Sequence, residues 1–301
     1  MKKGISSFLH ALVYPLIYMG SQVVASFAAV IAYTITSVIE GGPGSIALAD
    51  ISTIQNEFVG KYSQQILIAA CVISCLIVLI IIKARRQKLR DALIIKRMPY
   101  GSILPTVVLG ISVNLATVYA ISIIPIPETV LEQYNELVGE TIISDNFLMT
   151  FFTTALLVPF TEEVMFRGMS FNALRRGMSV VLATVLQTLI FAGAHMLPLQ
   201  VAYVIPASMV LGLVYVWCDT IIAPIIMHIA YNGFSTILSA LPMPEEEITP
   251  PENNTVPIII IAVALVLTAV CLIRLYRTYK TQVREAIVKS QLPISPGEMR
   301  D

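Results

Sequence analysis

A chain of 301 residues with 56% hydrophobic and 13% charged residues, and a mean hydropathy of +0.81, is too apolar for an ordinary soluble domain or a disordered one. Its 19 lysines and arginines balance its 19 aspartates and glutamates, so net charge selects neither an acidic nor a basic partner, and no nucleic-acid partner is expected. What remains is an all-α, polytopic membrane protein. Eight apolar stretches approach or reach the roughly 20 residues that a helix needs to cross hydrocarbon. They lie near 12–36, 65–82, 103–124, 147–174, 179–197, 199–217, 220–241 and 256–273.

The first stretch follows Lys2 and Lys3 and carries small residues at Ala25, Ser26, Ala28 and Ala29, as a secretory signal would. Its apolar run continues to about Thr36, longer than a cleaved signal core, so it reads as an uncleaved span. Gly41-Gly42-Pro43-Gly44 is a turn-rich break after it. After the second span comes a basic loop from Lys83 to Arg97, read as a topology signal and lipid-headgroup contact. Between Pro125 and Asn146, Glu128, Glu132, Glu136 and Glu140 recur every fourth residue among Val130, Leu131, Tyr134 and Val138. That spacing predicts a short amphipathic surface helix. Arg175-Arg176-Gly177 marks a tight turn after the fourth span, and the tail holding Pro293, Pro296 and Gly297 is expected to be loosely ordered.

All the basic clusters, Lys2 and Lys3, Lys83 to Arg97, Arg175 and Arg176, and the run from Arg274 to Arg300, fall on one side of the eight-span arrangement. The opposite loops carry mainly acids, with Lys61 their only cation. The lysine and arginine bias therefore predicts that both termini are cytoplasmic. The four cysteines, Cys71, Cys75, Cys218 and Cys271, lie in or beside spans and read as small apolar residues rather than disulfide partners. Three regions follow: N-terminal spans and external loops over 1–146, a core of four consecutive spans over 147–241, and a last span with a basic tail over 242–301.

Charge inside the predicted spans is concentrated in Thr161-Glu162-Glu163-Val164-Met165-Phe166-Arg167-Gly168. Ionisable groups are costly in hydrocarbon, so function is the default reading. Downstream, the imidazoles are His195, closing Phe191-Ala192-Gly193-Ala194-His195, and His228, opening His228-Ile229-Ala230-Tyr231-Asn232; His10 reads as a bystander near the N-terminal interface. Folding a hairpin about Gly177 sets Glu162 about 22 Å and His195 about 27 Å from the turn, so the two can face each other. Glu163 stands four residues before Arg167, as an ion pair on one helical face requires, which leaves Glu162 the freer carboxylate. A desolvated Glu162 suits a general base, His195 could share or position its water, and His228 with Asn232 could donate to an oxyanion. The alternatives are a structural Glu163–Arg167 brace, helix-to-helix hydrogen bonding by the histidines, and packing roles for Phe191, Tyr203 and Tyr231.

Glu162-Glu163-x-x-x-Arg167, Phe191-x-x-x-His195 and His228-x-x-x-Asn232 resemble the three ordered motifs of the CPBP family, the type II CAAX prenyl endopeptidases and their bacterial relatives. The resemblance covers about residues 147–241. It implies a membrane helical bundle with a cavity open to the cytosol, with Glu162 activating water, His195 as its partner, His228 and Asn232 stabilising the oxyanion, and Glu163 and Arg167 supporting. A divalent metal such as zinc, held by Glu162, His195 and His228, is the open question; without the His-Glu-x-x-His helix of ordinary zincins, the metal-independent route is preferred. The expected substrate is a peptide precursor or membrane-protein tail, cut at a bacterial plasma membrane in contact with its lipids. The rivals are a transporter or proton relay, since intramembrane Glu, His and Arg also mark ion paths, and a non-catalytic immunity or scaffold protein.

Overall fold

The computed structural model describes residues 2–41, 60–142, 146–241 and 254–291. Most of the 41–44 break, together with Asp50, Glu57, Asp145, Glu245 to Glu247, Glu252 and the tail beyond 291, lies outside the described residues. Those residues form a helical bundle and contain no strand. In chain order the helices are α1 (Lys2–Gly41), α2 (Gly60–Ala84), α3 (Leu89–Ala92), α4 (Tyr100–Ile123), α5 (Glu128–Ile142) and the composite α6 (Phe147–Arg175). After them come α7 (Val180–Gly193), α8 (Pro198–Cys218), α9 (Ile222–Ser239) and α10 (Thr255–Gln291).

Seven of these helices are long and apolar enough to cross a membrane. The stretch expected at 179–197 is the exception: α7 has 14 residues, which is about 21 Å against a hydrocarbon core of about 30 Å. The chain stops it locally. Ala194 and His195 form a turn, Met196 takes φ 62°, and Leu197 is extended because the next residue is Pro198. The amphipathic helix expected between Pro125 and Asn146 is present as α5, with the Tyr134 hydroxyl 3.1 Å from that of Tyr203 on α8.

The basic stretches meet at one end of the bundle. Gly177, in the α6–α7 turn, lies so close to α1 that an added Cβ would sit 2.7 Å from the Lys3 carbonyl oxygen and 2.5 Å from the Ser7 hydroxyl. The Asn172 amide donates to the Ala92 carbonyl at 3.4 Å, and Lys96 pairs with Asp219. The Thr220 hydroxyl also accepts from the Lys96 N–H and donates to the Lys96 carbonyl, joining the basic loop to the start of α9.

Two features position the central residues. Within α6, the segments Phe151–Leu157 and Glu163–Phe171 are π-helical, a wider register that recurs at functional sites and re-aims side chains relative to an α-helix. Between α4 and α9, Gly110 permits backbone contact: a Cβ there would lie 2.4 Å from the Met227 carbonyl oxygen and 2.9 Å from the Ala230 Cβ. Only glycine allows this approach, and it holds the α9 turn next to His228 against α4.

Candidate active site

Glu163 and Arg167 are fully buried, and Glu162 and His228 are 8% and 7% exposed, so four ionisable residues share the interior of the bundle. Burial on this scale demands partners. Arg167 donates through Nη1 to Glu163 Oε1 at 2.7 Å, and through Nη2 to the Ser208 hydroxyl at 2.9 Å and the Ser208 carbonyl at 3.3 Å on α8. Its guanidinium lies 4.4 Å from the centre of the Phe191 ring, a cation over an aromatic face. The i,i+4 pair read from the sequence is therefore present, and it is anchored to two other helices.

Glu163 Oε1 also accepts from His228 Nδ1 at 2.7 Å. A carboxylate oxygen only accepts, so the proton sits on Nδ1 and His228 presents Nε2 to the other side. There it faces Glu162 Oε2 at 3.7 Å, while Glu162 Oε1 accepts from the Tyr18 hydroxyl at 3.2 Å. Glu163 is thus committed to Arg167 and His228, and Glu162 is the less encumbered carboxylate.

The imidazole beside Glu162 is that of His228. His195, expected to meet Glu162 across the α6–α7 hairpin, makes no hydrogen bond or ion pair with it; its Nδ1 donates to the Phe191 carbonyl at 2.9 Å and closes the last turn of α7. It stays next to the cluster through Phe191, whose ring meets His195 edge-on at 4.9 Å and His228 at 6.1 Å between centroids. The His195 Nδ1 bond leaves Nε2 with its lone pair. Phe191, read as packing, is the ring on which Arg167, His195 and His228 all rest.

Asn232 sits one turn beyond His228 on α9 and donates through Nδ2 to the Thr154 carbonyl at 3.0 Å. The π register explains why that carbonyl is available. Val158 N–H bonds Thr153 five residues back, and the equivalent donor for Thr154 would be Pro159, which has no N–H. The second Asn232 N–H is not needed for this bond.

Two further contributors were not singled out in the sequence, Tyr18 and Ser208. Ser208 carries no signal in an apolar helix that holds other small residues. Tyr18 could have been suspected as a phenol midway along an apolar span. It packs edge-on against Phe166 at 6.1 Å and comes from α1, far outside the motif region. Tyr18→Phe should leave membrane abundance unchanged and slow turnover by roughly 10- to 100-fold, the scale of one hydrogen bond to a charged group. Turnover measured alongside membrane abundance checks it: a well-expressed Tyr18→Phe protein at full activity ends that role.

The expected metal set fits poorly. Glu162 Oε2 and His228 Nε2 at 3.7 Å are only slightly wider than the roughly 3.3 Å separating two ligands of one tetrahedral zinc. Yet no three His, Cys, Asp or Glu side chains among the described residues converge to hold an ion, and His195 does not join the pair. The arrangement suits proton transfer and hydrogen bonding by its own side chains.

Comparison with known proteins accords with this geometry. Residues 144–234 match the family described as Rce1-like, type II CAAX prenyl endopeptidase. A 96-residue stretch is 33% identical to the membrane-embedded CAAX protease MroQ of Staphylococcus aureus (strain USA300), covering 30% of this chain and 39% of the relative. The chain thus aligns with well under half of that relative's length. No solved structure matches. The matched segment contains all three motifs and the helices that bring Glu162, Glu163, Arg167 and His228 together, and over residues 144–234 the chain is similar to the Rce1-like, type II CAAX prenyl endopeptidase family, the CPBP family that those motifs resemble.

Proposed function

We propose that the protein is an intramembrane endopeptidase in which Glu162 activates water. The observation that carries this reading is the buried cluster of Glu162, Glu163, Arg167 and His228, gathered from α6 and α9 inside the family-matched segment. Glu162 takes a proton from water as the oxygen attacks the scissile carbonyl carbon, which places negative charge on the carbonyl oxygen. The C–N bond then breaks and the proton passes to the leaving nitrogen. With Nδ1 given to Glu163, His228 donates from Nε2 only as imidazolium, a form flanked by Glu162 and Glu163. His228 and the second N–H of Asn232 are the proposed oxyanion donors, and His195 Nε2 is a proposed acceptor for the attacking water.

Substrates of this reading are peptide precursors or membrane-protein tails at a bacterial plasma membrane. Quantitative N-terminal proteomics of membranes with and without the protein tests it: new cleavage termini on membrane-associated peptides are expected, and their complete absence favours a transporter or scaffold. Reporter fusions should place Arg97, Arg176 and the C-terminus in the cytoplasm and Glu136 outside. An external C-terminus defeats that orientation.

Asn232→Ala should lower turnover by about 10²- to 10³-fold, the scale of one oxyanion donor, with chelators leaving the wild type active. Zinc copurifying at one equivalent, with activity lost on its removal and restored on its return, would replace this mechanism with a metal-based one.

A further inference from the structure

Away from the catalytic cluster, a cavity of about 760 Å³ opens at the basic end of the bundle, between α7, α8 and the C-terminal part of α10. Lys96, Arg97 and Arg175 stand around it with Asp219 as the single carboxylate, three cations against one anion. All four are exposed. The rest of the lining is mainly hydrocarbon, including Val181, Leu213 and Val216, with Thr184 and Gln282 among it. Val181 is 74% exposed, on a helix of a membrane protein where such a surface faces lipid.

Two aromatic residues mark the level of the mouth. Trp217 lines the cavity and lies against Tyr276 at 5.3 Å between centroids, and Tyr279 lines it from one turn further along α10. Amphipathic rings of this kind collect at the headgroup level of bilayers. Lys96 is partly satisfied by Asp219, and Arg97 by the Tyr100 hydroxyl and ring. Arg175 lies 5.9 Å from the Phe171 ring centre and makes no ion pair among the described residues.

We propose that this cavity is a specific site for one anionic phospholipid, with the phosphate at Arg97, Arg175 and Lys96 and an acyl chain along Val181, Leu213 and Val216. A phosphodiester supplies the negative charge that the rim lacks, and only a ligand with an attached hydrocarbon chain complements both halves of the cavity. The headgroup bridges the end of α6 at Arg175 and the basic loop at Lys96, which Thr220 ties to the start of α9. The site is independent of the endopeptidase reading, since no catalytic residue lines it.

Native mass spectrometry of the full chain, exchanged into detergent with phosphatidylglycerol or phosphatidylcholine of matched acyl chains, tests the site. One phosphatidylglycerol is expected to survive activation that strips phosphatidylcholine. The Arg97→Gln/Arg175→Gln variant and, separately, Leu213→Trp should each lower its retention at least about tenfold, while Lys88→Gln, at the same end but outside the cavity, should not. Equal retention of the two lipids by the wild-type protein overturns the proposal without recourse to any variant. So does undiminished phosphatidylglycerol retention by both cavity variants, or an equal loss in Lys88→Gln.

Discussion

Glu162→Gln should lower peptide-bond hydrolysis by at least about 10²- to 10⁴-fold while the protein accumulates in the membrane near its wild-type level. The amide is nearly isosteric, and its carbonyl can still accept the Tyr18 hydroxyl that Glu162 Oε1 accepts at 3.2 Å. What it cannot do is take a proton from water. Replacing a carboxylate that has only Tyr18 and a 3.7 Å contact to His228 also breaks no tight ion pair, so abundance should hold. Activity assayed against a membrane peptide, together with abundance by immunoblot, separates the possibilities. A well-expressed Glu162→Gln protein that cleaves at the wild-type rate removes Glu162 from the general-base role.

Arg167→Ala should act through stability instead. It strands Glu163 as a fully buried carboxylate, deprives Ser208 of its guanidinium partner and empties the face of the Phe191 ring. Breaking a buried pair by removing one member costs about 3–5 kcal/mol, enough to deplete a protein of ordinary marginal stability. Low membrane yield and a depressed unfolding temperature in detergent are the expected readouts. Replacing both members, Glu163→Gln with Arg167→Met, should recover much of the yield because no unpaired charge remains, but not the activity, because His228 Nδ1 loses its carboxylate. An Arg167→Ala protein as abundant and as stable as the wild type would show that the pair is not a brace.

The Glu163–Arg167 pair was legible because both ends lie on one helix, where four residues return a side chain to the same face. The His195–Glu162 meeting was inferred from the level of each residue in a hairpin, but level does not determine which way a ring points. The Ala194–His195 turn and Pro198 end α7 at Gly193, so His195 turns back to the Phe191 carbonyl and His228 stands beside Glu162. The same early stop makes α7 shorter than the span expected over 179–197.

The sequence alone determined the membrane class, the run of apolar segments, the concentration of ionisable residues in three motifs and the i,i+4 ion pair. Each of these depends on composition or on spacing within one helix, and both are local quantities. Only the tertiary structure decided that His228 bridges the two glutamates, that Asn232 takes the carbonyl for which Pro159 offers no N–H, and that Tyr18 reaches Glu162 from the first helix. Those choices depend on the π register of α6 and on the Gly110 contact that holds α9 against α4. A partner on another helix is selected by rotation and approach distance, which no spacing along a single helix encodes.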